Sequence, residues 1–110
     1  MLLNFDQMPI TTLAQFKGGD GVIEGRIHTD AMCKILRLTL PVGASIGLHT
    51  HDTSCEMVYI LSGNGTCLDD GAEISISAGD CHYCPKGHSH SIRNTGTEPL
   101  VLLGIVPELP

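Results

Sequence analysis

The chain has no Trp, only two Tyr and two Phe, and just six Lys and Arg among 110 residues. The scarcity of cations excludes one class of function at once. A nucleic-acid surface needs a basic patch to displace counterions from phosphates; here the six cations are scattered in a chain of net charge −6. The same shortage argues against an anionic membrane surface as partner. Long hydrophobic runs are missing too. The run Leu100 to Val106 is interrupted by Gly104 and falls far short of the roughly 20 residues that span a bilayer. The start, Met1 to Asp6, has neither the basic region nor the apolar core of a signal peptide. A soluble, cytoplasmic protein is the expectation. No stretch shows the apolar period of an amphipathic helix.

What is present is a chain with 42% hydrophobic residues, punctuated by 13 Gly and 6 Pro. Short apolar runs between such breakers read as an all-β fold with tight turns. The length suits one domain, residues 1–110, with residues 1–30 as an N-terminal strand or arm. Lys34 to Leu40 alternates, with Leu36, Leu38 and Leu40 on one face and Ile35, Arg37 and Thr39 on the other. Glu56 to Leu61 is a second strand, and Glu73 to Ser77 alternates Ile with Ser. Further strands are expected at Val22 to His28, Gly65 to Leu68, Cys81 to Cys84, His90 to Arg93 and Leu100 to Val106. About eight short strands at close spacing predict a sandwich or barrel.

The five Cys, with no signal peptide, fit reduced thiols that serve as small apolar core residues. Cys81-x-x-Cys84 has the spacing of half a zinc site, but residues three apart on a strand point to opposite faces.

His49-Thr50-His51 is the key spacing. On a strand, positions i and i+2 share a face, so both imidazoles can reach one ion. Glu56 shares parity with Val58 and Ile60, and a carboxylate on an inner face is costly unless paired or bound to a cation. The bland alternative puts Glu56 at the surface. His90, with Ile92 and Asn94 on its parity, reads alone as a structural His.

The pattern as a whole resembles the cupin superfamily. The first cupin motif is present as Gly43, His49, His51, Glu56 and Gly63, and the second as Gly79, Pro85, Gly87, His90 and Asn94. The ten positions agree over 52 residues, with a fifteen-residue intermotif segment. The resemblance is tight over 43–94 and rests on strand pattern alone elsewhere. It implies a jelly-roll-like cupin barrel and one divalent transition metal (Fe, Mn, Zn or Ni) ligated by His49, His51, Glu56 and His90.

Other residues carry weaker expectations. Asn94 either steadies a ligand or makes a plain turn. His88, in the Pro-Gly loop, is a candidate catalytic residue at the pocket mouth. His82 points either into the barrel or away, and His28 is expected at the surface. Cupins include dioxygenases, isomerases and non-catalytic binding domains, so fold does not fix function. The expected function is a metalloenzyme with dioxygenase-type or isomerase-type chemistry on a small-molecule ligand. The alternative is a binding or sensing module without turnover. An apolar substrate fits a pocket lined by Val58, Ile60 and Ile92. A phosphosugar needs a cation, for which Lys86 is the best candidate. Met57, Tyr59, Leu61 and Ile35 should face outward, and the doubly apolar Leu100 to Val106 run predicts a homodimer over that face, the alternative being that the N-terminal 30 residues wrap over it.

Overall fold

The alternating pattern is realised as ten strands in the computed structural model, which describes residues 1–110. They are β1 (Thr11–Ala14), β2 (Val22–Thr29), β3 (Cys33–Leu40), β4 (Ser45–Thr50), β5 (Glu56–Ser62), β6 (Asn64–Asp69), β7 (Ala72–Ser77), β8 (Cys81–Cys84), β9 (Ser89–Arg93) and β10 (Leu100–Pro107). The only helical pieces are two 3-10 turns, Phe5–Gln7 and Phe16–Gly18. All strand pairings are antiparallel.

The strands form a six-stranded sheet, β1-β2-β3-β10-β5-β8, and a four-stranded sheet, β4-β9-β6-β7. The expected barrel is therefore realised as two separate sheets rather than one closed ladder. The chain crosses between the sheets six times, and at Pro41–Ala44 and at Gly63 bends carry the next strand away instead of pairing it. Gly63 has φ +84°, and a Cβ there would collide with the Pro99 carbonyl. Only glycine suits both demands.

Two strands exceed the eight expected. β1 is short and mostly exposed, so it carries no clear alternation. β4 is interrupted by a register shift, described below.

The core lies between the sheets. Leu36, Leu38 and Leu40 of β3, Val58 and Ile60 of β5, and Leu100 and Leu102 of β10 pack with Ile46, Cys67, Ile76 and Ile92 from the smaller sheet. Burying each large aliphatic side chain contributes about 1.5–3 kcal/mol. Cys55, Cys67 and Cys84 are buried and Cys81 is exposed, so the Cys81 and Cys84 thiols face opposite ways. Burial, assisted by nearby carboxylates, pushes the Cys67 thiol up to about 12 and the Cys84 thiol up to about 11. Both remain neutral core residues near pH 7.

The N-terminal region closes one side. The Phe16–Gly18 turn packs on β4, where Gly19 faces Ser45 and Gly47 faces the Lys17 carbonyl. A Cβ at either glycine would strike backbone, so this approach requires two glycines.

Candidate metal centre

The site is assembled from both sheets. His49 lies on β4 and His90 opposite it on β9, as register partners. His51 follows the end of β4, and Glu56 begins β5 in the larger sheet. These are the four residues expected from the sequence, and their ligand atoms all lie within 4.8 Å of one another.

His49 faces inward because β4 carries one extra residue. Ile46 pairs with Ile92 and His49 with His90, so Gly47 and Leu48 stand opposite Ser91 alone. Such a bulge re-aims the side chains that follow it. Without it, Leu48 and Thr50 would continue the inner parity of Ile46. Instead Leu48 is 59% exposed and His49 joins the site.

The donor atoms are close. His90 Nε2 lies 3.0 Å from His49 Nε2 and 3.1 Å from His51 Nε2. Glu56 Oε1 lies 2.9 Å from His90 Nε2, 3.1 Å from His51 Nε2 and 3.8 Å from His49 Nε2. Burial raises the Glu56 pKa, yet hydrogen bonds with His49, His51 and His90 outweigh it and hold the carboxyl well below the usual carboxylate range. The carboxylate is thus ionised near pH 7.

The far sides of two rings are already committed. His49 Nδ1 donates to the Gly47 carbonyl at 2.8 Å, which leaves Nε2 as the ring's lone pair. His51 Nδ1 is 3.0 Å from the Ser54 hydroxyl, which accepts its N–H when Nε2 ligates. Sequence reasoning missed both supports. Converging nitrogen lone pairs repel each other unless a cation or proton lies among them.

The spacing fits a metal ion. With bonds of about 2.1 Å, neighbouring ligands on an octahedron lie about 3.0 Å apart, and on a tetrahedron about 3.4 Å. Four of the separations lie between 2.9 and 3.1 Å, and that between His49 Nε2 and Glu56 Oε1 is 3.8 Å. The donor set, three imidazole nitrogens and one carboxylate oxygen, fits a divalent transition-metal ion.

The site opens into a cleft of about 600 Å³. Its apolar wall comprises Phe16, Ile27, Leu36, Leu38, Ile46, Ile92 and Val106. This corrects the expected lining. Val58 and Ile60 are fully buried in the core, and only Ile92 of that trio reaches the cleft. Lys86 is also absent from the lining; the lysines that reach it are Lys17 and Lys34.

The other histidines separate clearly. His82 is buried against the site, its ring stacked on His90. His88 is exposed in the β8–β9 loop, pairs with Asp70 at 3.3 Å, and does not line the cleft. His28 pairs with Asp30 on the outer side of β2. Asn94 is buried, but it serves the turn: its amide donates to the Leu40 and Glu98 carbonyls and its oxygen accepts from Gly96 N–H.

Comparison with known proteins agrees with this geometry. Residues 36–106 match the family described as Cupin domain. An oxalate-binding protein of Thermotoga maritima is 34% identical over 113 residues, covering 96% of this chain and 93% of that protein. An uncharacterized protein of Methanocaldococcus jannaschii is 41% identical over 82 residues, covering 74% of this chain and 66% of its own. The crystal structure of a "predicted oxalate decarboxylase" from Thermotoga maritima superposes with a TM-score of 0.94 at 32% identity, over 99% of this chain and 100% of that one. The two motifs, the three-His and one-Glu cluster and these matches have one common meaning: the chain belongs to the cupin family.

Proposed function

We propose that this cupin holds one divalent transition-metal ion through His49, His51, Glu56 and His90 and uses it to bind a small carboxylate ligand. The convergence of three imidazole nitrogens and one carboxylate oxygen within 4.8 Å carries the reading. The names of the Thermotoga relatives, oxalate-binding and predicted oxalate decarboxylase, support a carboxylate as the ligand class.

The chain's own residues would do distinct work. Gly47 and Ser54 orient His49 and His51 from behind. Glu56 brings the negative charge that partly neutralises the ion. The apolar wall excludes water from the ligand's far side. The ion would supply Lewis acidity toward the ligand's oxygens.

An enzymatic role is the second reading. An octahedral ion with four protein ligands keeps two positions for a chelating substrate, water or dioxygen. This is the arrangement that dioxygenase-type or isomerase-type chemistry requires. We also infer a homodimer formed through the outer face of the larger sheet, and a reducing cytoplasmic setting consistent with five free thiols. No helix is long and apolar enough to cross a membrane.

Elemental analysis of protein made without a His-tag, followed by calorimetry with oxalate, tests the main reading. About one equivalent of metal is expected, lost in His51→Ala, with oxalate binding dependent on that metal. Full metal occupancy in both His51→Ala and His90→Ala would reject the ligand set.

A further inference from the structure

The cleft is larger than the ligand named for the relatives. A volume of about 600 Å³ falls among pockets that enclose drug-sized molecules. Oxalate is two carboxylates joined directly, with no apolar body. Both of its ends would be taken up at the ion, leaving most of the cleft along Ile27, Leu36, Leu38, Ile46, Ile92 and Val106 unfilled.

The polar side chains at the mouth are also unequally committed. Arg26 donates to the Phe5, Asp6 and Met8 carbonyls, Arg37 pairs with Asp6, and Arg93 pairs with Asp20. Lys17 and Lys34 are exposed and make no ion pair, and both line the cleft; Lys17 Nζ lies 5.6 Å from the centroid of the Phe16 ring. Three carboxylates line it as well: Asp52, Glu56 and Glu108, the last accepting a hydrogen bond from Thr53. A divalent ion and two lysines together outweigh those three charges, so the loaded cleft favours an anion.

Register gives the span. Lys34 of β3 pairs with Val106 of β10, and Ile105 pairs with Met57 of β5, so Glu56 comes level with Val106 on its other side. Lys34 and Glu56 are therefore two strand spacings apart, roughly 10 Å between backbones. Lys34 shares the inner parity of Leu36 and Leu38. Lys17 approaches from the opposite wall, with its carbonyl against Gly47, the residue that orients His49. Its backbone is left-handed, φ 55°, a conformation that costs a non-glycine residue about 1–3 kcal/mol.

Resting on the metal-anchored reading above, we propose that the ligand is a longer dicarboxylate. One end chelates the ion, an apolar chain of a few carbons lies along Leu36, Leu38 and Val106, and a second carboxylate is received by Lys34 and Lys17. The two lysines then set specificity for ligand length and charge.

Calorimetry on protein loaded with one equivalent of divalent manganese tests this, using oxalate, α-ketoglutarate and α-ketovalerate. The last matches α-ketoglutarate in chain length but lacks the far carboxylate. α-Ketoglutarate should bind at least about tenfold tighter than the other two, the worth of one charge-assisted hydrogen bond. Lys34→Met, alone or with Lys17→Met, should remove that advantage and leave α-ketovalerate binding unchanged, and Lys34→Arg should restore it. Tightest binding by oxalate, or equal loss for both keto acids on Lys34→Met, would overturn the inference alone. If none of the three binds, or if binding survives His51→Ala, the metal-anchored reading fails and the inference fails with it.

Discussion

His82 stacks on His90, with ring centroids 5.3 Å apart and planes inclined by 27°. Neither His82 Nε2 nor His90 Nδ1 has a hydrogen-bond partner in the protein, and both atoms are buried. His90 is thus held by ring packing, whereas His49 and His51 are held by hydrogen bonds from behind. His82→Phe should keep the stack and remove one unpartnered polar atom, leaving the melting temperature unchanged or slightly raised. His82→Ala should free the His90 ring and weaken metal binding about tenfold or more, as loss of a ligand's support does. Metal titrations of the two variants compare directly; equal affinities would show that the stack positions nothing.

Acid should destabilise the metal-free protein in two stages. Burial, reinforced by His90, lowers the His82 pKa from 6.5, while burial opposes and three imidazoles enforce the lowering of Glu56 from 4.5. Both folded-state values are depressed, so the unfolded chain takes up protons first as pH falls. Stability is fully present above about pH 6.5, declines below it as unfolded His82 charges, and declines again below about pH 4.5 through Glu56. Melts of chelator-treated protein from about pH 7.5 to 3.5 should show both declines, and His82→Phe should remove the first. Loading with metal at about a thousandfold excess over Kd should add about 4 kcal/mol, more than about 10 °C in melting temperature. Identical melts at pH 7.5 with and without metal would mean that the ion does not stabilise the native state.

Gly104 makes room for the Glu56 carboxylate. A Cβ at 104 would lie 2.8 Å from Glu56 Oε2 and 3.6 Å from Leu36 Cδ1. The backbone conformation itself is ordinary, so any cost of Gly104→Ala is steric. The carboxylate can swing away more easily than β10 can move, so global stability should fall by less than about 1 kcal/mol while metal affinity drops about 10- to 100-fold. A metal titration beside a thermal melt separates the two effects. A large loss of stability with unchanged affinity would place the strain in the sheet instead.

The four ligands were legible because cupin spacing preserves them, but the reason His49 faces inward was not. Parity counted from Ile46 puts Leu48 inside, and only the bulge reverses it. A one-residue insertion leaves no mark in an alternating pattern beyond Gly47 itself. The inner parity of Glu56, Val58 and Ile60 read correctly, yet parity does not give depth. Val58 and Ile60 sit under the core while Ile27 and Leu38, from other strands, line the cleft. Lys17 and Lys34 escaped notice because they approach from strands and turns far from both motifs. Gly104 was visible as a break in an apolar run, but its purpose depends on the side chain opposite.

The outer face of the larger sheet leads to the last prediction. Residues 5–8 cross part of that face, fixed by Arg26 to the Phe5, Asp6 and Met8 carbonyls and by Arg37 to the Asp6 carboxylate. That cover lies over β2 and β3. It leaves Tyr59 and Leu61 of β5 each 44% exposed and Tyr83 of β8 55% exposed. Val101, Leu103 and Ile105 of β10 lie between these strands and β3, half-buried on the same outward parity. An apolar strip of this kind on an edge of a sheet favours pairing with a second copy, and two-fold symmetry closes the assembly after one partner. Light scattering at micromolar concentration should give twice the 11.7 kDa chain mass. Tyr59→Glu or Leu61→Glu should return it to the single-chain mass, because each would bury an unpaired charge at the interface, costing several kcal/mol. Neither residue touches the metal site, so metal stoichiometry should stay at one per chain in both variants. A wild-type mass of 11.7 kDa would reject the dimer, and a dimer unaffected by both substitutions would move the interface to another face.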